Sequence, residues 1–388
     1  MNGRAAAFLL AGLTALTAAL STGSSLYYLL TLMMGLMLFY ALASTLWTLY
    51  TARAKVDCPR RVVTRGQEIQ LSVMVKHLCP LPVRSVEILL AVPGDQDASG
   101  QVEIAPRPFA FVKYEAAFRC PHRGSYQVGV TRLVVTDLFG LLTLSRKAGG
   151  QMARVEVRPR VSIEESMALQ SVETGAEHIS RMTEDAASPS GVRDWVPGDA
   201  LKKVHWKLTM RKRELMVRTY EESARPDTLL LVDLTPLGSL RSHAMSTEDA
   251  ICEAAASMAT AQLKAGCPVR MPLSAKEPQE VNGQSAVEAG RFVDALMRVQ
   301  FDSPYSYEQL LSIEMRRMSR TGGAVLITSV LTARIADVAT QLKRSGMQVK
   351  VYWVTDTQRT EALEMLTRLK LAGIRARQID PWAENIAI

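Results

Sequence analysis

The sequence predicts three bodies in series: a two-helix transmembrane hairpin, an antiparallel β-sandwich of immunoglobulin-like kind, and a doubly wound α/β domain. Three observations carry this. The first 50 residues are nearly free of charge and hold two long apolar runs. Residues 53–160 alternate apolar and polar with period two between Gly/Pro turns. After Pro226, buried strand-like runs alternate with helical patterns. The expected boundaries are 1–52, 53–160, 161–225 and 226–388.

The hairpin comes first. Ala5 to Leu20 is short for a span, and Leu26 to Tyr50 is comfortably long, against a need for roughly 20 apolar residues. Ser21-Thr22-Gly23-Ser24-Ser25 makes an uncharged turn, so both outer ends should lie on one side. Arg4 precedes the pair, and Arg53, Lys55, Arg60 and Arg61 follow it. The positive-inside bias places those ends in the cytoplasm. The expectation is a multi-pass protein of the inner (plasma) membrane with its soluble domains inside. A cleaved signal peptide followed by one span, or a pair of buried core helices, would read similarly.

The net charge of +8 suits anionic lipid headgroups or nucleic acid. No nucleic-acid module signature appears, so the bilayer is the expected partner and nucleic acid is not. The five cysteines, Cys58, Cys79, Cys120, Cys252 and Cys267, are scattered without a C-x-x-C pair, as in a reducing compartment. Zinc-ligand spacing, a P-loop and a nucleophile elbow are all missing from the sequence. No cofactor is expected.

Along the second body, strands are expected over Glu68 to Lys76, Val83 to Val92, Phe109 to Phe118 and Ser125 to Val135. Residues 161–225 are polar, with a short helix at Ile163 to Gln170 and a loop at Thr183 to Gly191. The last body should hold buried strands at Thr228 to Asp233, Pro268 to Leu273, Gly323 to Thr328, Gln348 to Val354 and Gly373 to Gln378, in a parallel sheet. Its helices are expected at Ser246 to Lys264 (capped by Ser246 or Thr247), Val287 to Val299, Ser306 to Met318, Ala333 to Lys343 and Thr360 to Lys370.

Two segments carry a family resemblance. One runs Gly191-Val-Arg193-Asp194-Trp195-Val-Pro197-Gly198-Asp199, then Lys202-Lys203-Val-His205-Trp206-Lys207-Leu-Thr209-Met-Arg211, and on through Val217-Arg218 to Glu221. The other is Arg123-Gly124-x-Tyr126, followed by Asp137-Leu-Phe139-Gly140-Leu141. Together they resemble the signature of the DUF58 family, with Trp195 in place of a Tyr and Met210 in place of a small Ala. Physically, Pro197-Gly198 makes a turn. Arg193, Asp199, Lys203 and Arg211 can form a charged network beneath Trp195 and Trp206. That network is either a docking surface or a clasp fixing the loop between domains. His205 reads as a structural hydrogen-bonding residue, since no nucleophile stands at recognisable spacing.

The resemblance implies a C-terminal domain like von Willebrand factor A. Such domains hold Mg²⁺ on oxygen ligands at the end of the first strand. Here Asp233 and Thr235 keep two positions, Leu237 cannot ligate, and Thr328 stands where an Asp is expected. The metal site is therefore expected to be degenerate, with Asp233 capping a turn or paired to the basic motif. The resemblance further implies assembly work beside a MoxR-type AAA+ ATPase or a transglutaminase-like membrane protein. Binding is expected through Asp233, Thr235 and the signature residues at the carboxyl edge of the sheet, without catalysis. The alternatives are a metal-dependent adhesion module and an envelope-associated hydrolase.

Overall fold

A computed structural model describes residues 3–92, 99–105, 107–109, 111–150, 152–162, 191–196, 204–219, 227–238, 240–317, 321–357 and 360–382. The chain divides into two compact units, 1–159 and 160–388.

The first unit begins with α1 (Gly3–Thr22) and α2 (Ser25–Thr51), both long and apolar enough to cross a membrane. Gly23, at φ +65°, turns the chain between them. Most side chains of the pair are uncovered by protein, Leu10, Leu36 and Phe39 among them. Its hydroxyls bond back to their own helices. Thr14 donates to the Ala11 carbonyl, Thr22 to Ala18 and Thr31 to Tyr27. A polar group can thus sit in an apolar solvent without a water partner.

The carboxyl half of α2 behaves differently. Ala41, Ser44, Thr45 and Thr48, at i, i+3, i+4 and i+7, form a buried stripe. Tyr40 donates to the Pro82 carbonyl at 3.2 Å and meets the Phe139 ring edge-on at 5.9 Å. His77 is buried between Thr48 and the Arg107 carbonyl, at 3.2 and 3.1 Å. A carbonyl can only accept, which places the imidazole proton on Nδ1 and leaves Nε2 to accept from Thr48.

Nine strands follow: β1 (Arg53–Asp57), β2 (Val62–Thr64), β3 (Glu68–Lys76), β4 (Ser85–Ala91), β5 (Ser99–Ile104), β6 (Phe111–Arg119), β7 (Gly124–Thr136), β8 (Thr143–Lys147) and β9 (Ala153–Arg158). They make one sheet ordered β1-β3-β6 and another ordered β2-β9-β7-β4-β5, with β8 also on β7. All pairs are antiparallel except β2–β9. Ile69, Leu71, Val73 and Val75 alternate inward from β3. Val73 and Val75 share a core cluster with Val86, Ile88 and Leu90 of β4 and Val130, Leu133 and Val135 of β7, so the two sheets bury one apolar layer. The β7–β8 turn is built by Asp137. Its buried carboxylate accepts from the amides of Phe139 and Leu142, at 2.9 and 2.6 Å, and Gly140 takes φ +68°. Tyr126 donates to the His122–Arg123 corner.

In the second unit a small hairpin, β10 (Gly191–Asp194) with β11 (Met216–Thr219), encloses α3 (Trp206–Lys212). The main sheet is ordered β14-β13-β12-β15-β16-β17. Its strands are β12 (Asp227–Val232), β13 (Val269–Leu273), β14 (Gln279–Gly283), β15 (Thr321–Thr328), β16 (Gln348–Val354) and β17 (Arg375–Ile379). The helices are α4 (Arg241–Lys264), α5 (Ala289–Arg298), α6 (Tyr307–Arg317), α7 (Ala333–Arg344) and α8 (Thr360–Leu371). Along β12, Leu230 and Val232 face one apolar cluster and Leu229 and Leu231 the other. Both faces are therefore covered, as continuous apolar strands require.

Three helices end alike. Gly266, Gly346 and Gly373 lie at φ +73°, +90° and +72°, and the amides of Gly373 and Ile374 close back on Lys370 and Leu369. This is the left-handed cap in which glycine escapes the Cβ penalty.

Two expectations fail here. The sheet is mixed, because β14 runs antiparallel on β13. β14 is a polar edge strand in which Val281 and Gly283 are the buried positions, so it left little apolar signal. Helix α4 starts at Arg241, and neither Ser246 nor Thr247 caps it. Ser246 lies buried within the helix, and the N-cap residue is Leu240, which makes no side-chain cap bond. Burial on all sides from Asp249 to Leu263 sustains this helix in place of a local cap. The short helix expected at 163–170 lies outside the described residues, as does the loop expected at 183–191 except for Gly191, which opens strand β10.

Replacing His77 with Ala should leave the Thr48 hydroxyl and the Arg107 carbonyl without their partner. The expected cost is about 1–3 kcal/mol, read as a lower denaturant midpoint of the first unit, with Thr48→Val and His77→Ala non-additive.

Candidate functional site

The carboxyl ends of β12 and β15 meet at Asp233. The chain leaves β12 there, its amide donating to the Ile327 carbonyl at 2.9 Å. The carboxylate is 3% exposed and fully engaged. Oδ1 accepts from the Thr235 amide at 3.1 Å and the Thr235 hydroxyl at 2.7 Å. Oδ2 accepts from the Thr328 hydroxyl at 2.7 Å, and that oxygen in turn accepts from the Val330 amide. A buried charge is held here by oriented donors. Nearby, Tyr307 donates to the Leu231 carbonyl at 3.0 Å. Burial first, and the Asp233 charge second, push its phenol well above the ordinary tyrosine range. Tyr307 is thus a neutral donor at any physiological pH.

A hydroxyl–carboxylate set of this kind is the right chemistry for a hard cation. The residues present do not fit one. Asp233 is the sole carboxylate of the set, Leu237 brings no oxygen, and both Asp233 oxygens face hydrogen-bond donors. Among the described residues no group of three or more His, Cys, Asp or Glu could hold a metal ion.

The same edge carries a second cluster that the sequence did not signal. His243 Nδ1 lies 3.5 Å from Asp356 Oδ2, the Trp382 indole donates to that oxygen at 3.4 Å, and the His243 and Trp382 rings meet edge-on at 5.2 Å. Partial burial acts to raise the Asp356 carboxyl. Hydrogen bonds from Thr357 and Trp382, with His243 beside it, outweigh that and hold it below the usual range.

The signature residues assemble around α3. His205 is its N-cap: Nδ1 accepts from the Leu208 amide at 3.2 Å. Its backbone amide donates to the Met216 carbonyl at 2.8 Å, the Trp195 amide to Leu215, and the Thr209 hydroxyl accepts from the Met216 amide. Val204, Met216 and Val217 form the buried side. Arg213 ends the helix at φ +59°. Arg193 donates to the Asp194 carbonyl. Trp195 is half-buried, while Arg193, Asp194, Trp206, Met210 and Arg211 are exposed. Gly198, Asp199 and Lys203 lie outside the described residues, and the expected charged network falls with them. The structure thus brings Asp233 and Thr235 together with Thr328, and gathers the described signature residues into a unit of their own. Sequence reasoning marked position 328 as lacking an acid but missed that its hydroxyl satisfies Asp233.

Residues 191–373 match the family model described as "Protein of unknown function DUF58". No curated protein matches the sequence. Among solved structures the chain is similar to a CARDB domain from Pyrococcus furiosus in complex with di-metal ions. The identity is 16%, over 27% of this chain and 91% of that one, at a TM-score of 0.20. It is similar to a sporulation control protein from Bacillus subtilis at 14% identity, over 37% of this chain and 57% of that one, at 0.17. A non-cellulosomal cohesin from Archaeoglobus fulgidus is 17% identical, over 29% and 95%, at 0.19. At these TM-scores the likenesses carry no argument.

Replacing Thr328 with Val keeps the shape but removes a donor from a buried carboxylate. Unfolding of the second unit should show a loss of about 1–3 kcal/mol. Thr235→Val should couple to it in a double-mutant cycle.

Proposed function

We propose that this chain is a membrane-anchored, non-enzymatic scaffold or regulatory protein of DUF58 type, which docks a protein partner through its signature unit and the carboxyl edge of its α/β sheet. In this reading the amino-terminal hairpin spans the inner membrane and the basic flanks hold the body in the cytoplasm. The two packed sheets of the first unit are an immunoglobulin-like β-sandwich. The second unit is a domain like von Willebrand factor A with a degenerate metal site. The family resemblance points to a MoxR-type AAA+ ATPase or a transglutaminase-like membrane protein as partner.

The observation that carries the reading is the display on α3. Trp206 and Met210, four residues apart on one helical face, are 59% and 81% exposed, and Arg211 and Lys212 flank them. Beneath them the helix is fixed by the His205 cap and the β10–β11 pairing. A rigid support presenting an aromatic, a thioether, a guanidinium and an ammonium has the composition of an interface hot spot. Two chemistry-bearing groups of the unit are already committed to the fold: His205 caps α3, and Asp233, at the sheet edge, takes three hydrogen bonds. That supports binding over catalysis.

Co-purification from native membranes tests the reading. Trp206→Ala with Met210→Glu should weaken capture of the ATPase or transglutaminase-like partner by at least about 2 kcal/mol, or roughly thirtyfold, with the fold intact. An unchanged set of neighbours, or substrate turnover by the full chain that a single substitution abolishes, would sink it. Orientation is tested separately. All five native cysteines are buried, which leaves a quiet background for thiol labelling. A membrane-impermeant maleimide on intact cells should label Ser24→Cys and spare Gly149→Cys, and the converse pattern would reverse the topology.

A further inference from the structure

The β7–β8 turn carries two apolar side chains that the fold leaves uncovered. Leu138 and Phe139, at its tip, are 45% and 39% exposed. The backbone beneath them is held in place. Asp137 is buried and accepts from the amides of Phe139 and Leu142, and Gly140 supplies the left-handed conformation that closes the turn. An apolar pair fixed outward in this way is a contact surface in want of an apolar neighbour.

The level of the turn along the hairpin is set by contacts with both helices. From α2, the Tyr40 ring meets Phe139 edge-on at 5.9 Å, and its hydroxyl donates to the Pro82 carbonyl of the adjoining β3–β4 loop. From α1, Arg4 Nη1 lies 3.9 Å from the point a Cβ on Gly140 would occupy, and Arg84 Nη1 lies 3.2 Å from that point. The 20 residues of α1 rise about 30 Å, which matches a hydrocarbon core of about 30 Å. Arg4 stands in the first turn of that helix, and a guanidinium is costly within hydrocarbon but stable at its edge. Leu138, Phe139, Arg4 and Arg84 therefore share the level where acyl chains give way to headgroups. Trp47 and Tyr50, exposed on the last turns of α2, add the aromatic residues typical of that layer.

The charge at this level is one-sided. Across 77–84 and 137–142 the sole acid is Asp137, whose carboxylate is spent on amides inside the turn. Two guanidinium groups over one glycine suit phosphate oxygens in geometry as well as charge, and the cytoplasmic leaflet is rich in anionic phosphates. We infer that the β7–β8 turn is a lipid-contacting wedge: Leu138 and Phe139 enter the headgroup layer beside α2, and Arg4 with Arg84 receive the phosphate of an anionic lipid. This rests on the proposal that the hairpin spans the membrane, and it gives the β unit a bilayer contact of its own. It does not depend on partner docking through α3.

Depth-dependent quenching tests it, with the full chain reconstituted in vesicles of phosphatidylcholine and phosphatidylglycerol. A thiol-reactive fluorophore is placed on Leu138→Cys, on Met33→Cys within the span, and on Glu68→Cys at the far end of β3. The lipids carry a nitroxide either near the headgroup or deep in the acyl chain. The label at 138 should be quenched best by the shallow nitroxide, the label at 33 by the deep one, and the label at 68 by neither. With the shallow nitroxide on phosphatidylglycerol in place of phosphatidylcholine, quenching at 138 should report a local enrichment of up to roughly fivefold. Arg84→Gln should erase that preference and leave the signal at 33 unchanged, which reports an intact hairpin. A label at 138 that no lipid quenches, beside a quenched label at 33, overturns the wedge, keeps the spanning hairpin and leaves Leu138 and Phe139 to a protein neighbour. An unquenched label at 33 overturns both. A preference for phosphatidylglycerol that survives Arg84→Gln also overturns the proposal.

Discussion

The amino-terminal hairpin sets the terms for the first unit. Its side chains are mostly apolar and largely uncovered, and hydroxyls such as those of Thr14, Thr22 and Thr31 bond to carbonyls of their own helix. Such a surface is costly in water and at home in hydrocarbon. α2, at 27 residues, is about 40 Å long by its rise per residue, against a hydrocarbon core of about 30 Å. The carboxyl-terminal part of α2 has a structural use. Where the stripe Ala41, Ser44, Thr45 and Thr48 turns inward, the helix stops facing solvent and becomes part of the β unit. His77, Pro82 and Arg107 receive it through hydrogen bonds. The helix and the β unit are thus joined by packing as well as by the chain.

The main sheet of the second unit separates its electrostatics by end. At the carboxyl ends of β12 and β15 a single carboxylate is neutralised by hydroxyl and amide donors, and the His243–Asp356–Trp382 cluster sits on the same edge. In the amino-terminal half of β16 and β17, Lys350 stands in register with Arg375. Asp233 is buried and meets three hydrogen-bond donors. Lys350 is buried too, and is lowered first by that burial and then by the Arg375 charge.

Much of the fold was legible. The alternation Glu68 to Lys76 coincides with β3, and the apolar run Gln348 to Val354 with β16, because each pattern matches the period of its own face. Glycines after Lys264 and Ser345 marked helix ends, since φ near +75° is cheap for glycine alone. The start of α4 was misread because a Ser-Thr-Glu-Asp run resembles a cap, while the helix begins at Arg241 and is anchored by the all-round burial of its Asp249–Leu263 stretch. β14 and α3 escaped notice for another reason. Short polar edge elements are held by pairing and capping partners, here β13 and His205, and neither leaves a periodic trace.

The site divides along the same line. Sequence alone determined the apolar hairpin, the strand and helix periods, and the presence of Asp233 and Thr235 two residues apart at a strand end. Those features rest on interactions between near neighbours in the chain, where spacing fixes geometry. Tertiary structure alone decided that Thr328 satisfies Asp233 across 95 residues, that His243 faces Asp356, and that Lys350 lies in register with Arg375. Such pairs depend on which strands become neighbours and in what register. That choice is made by burial summed over the whole sheet, and no local stretch of sequence records it.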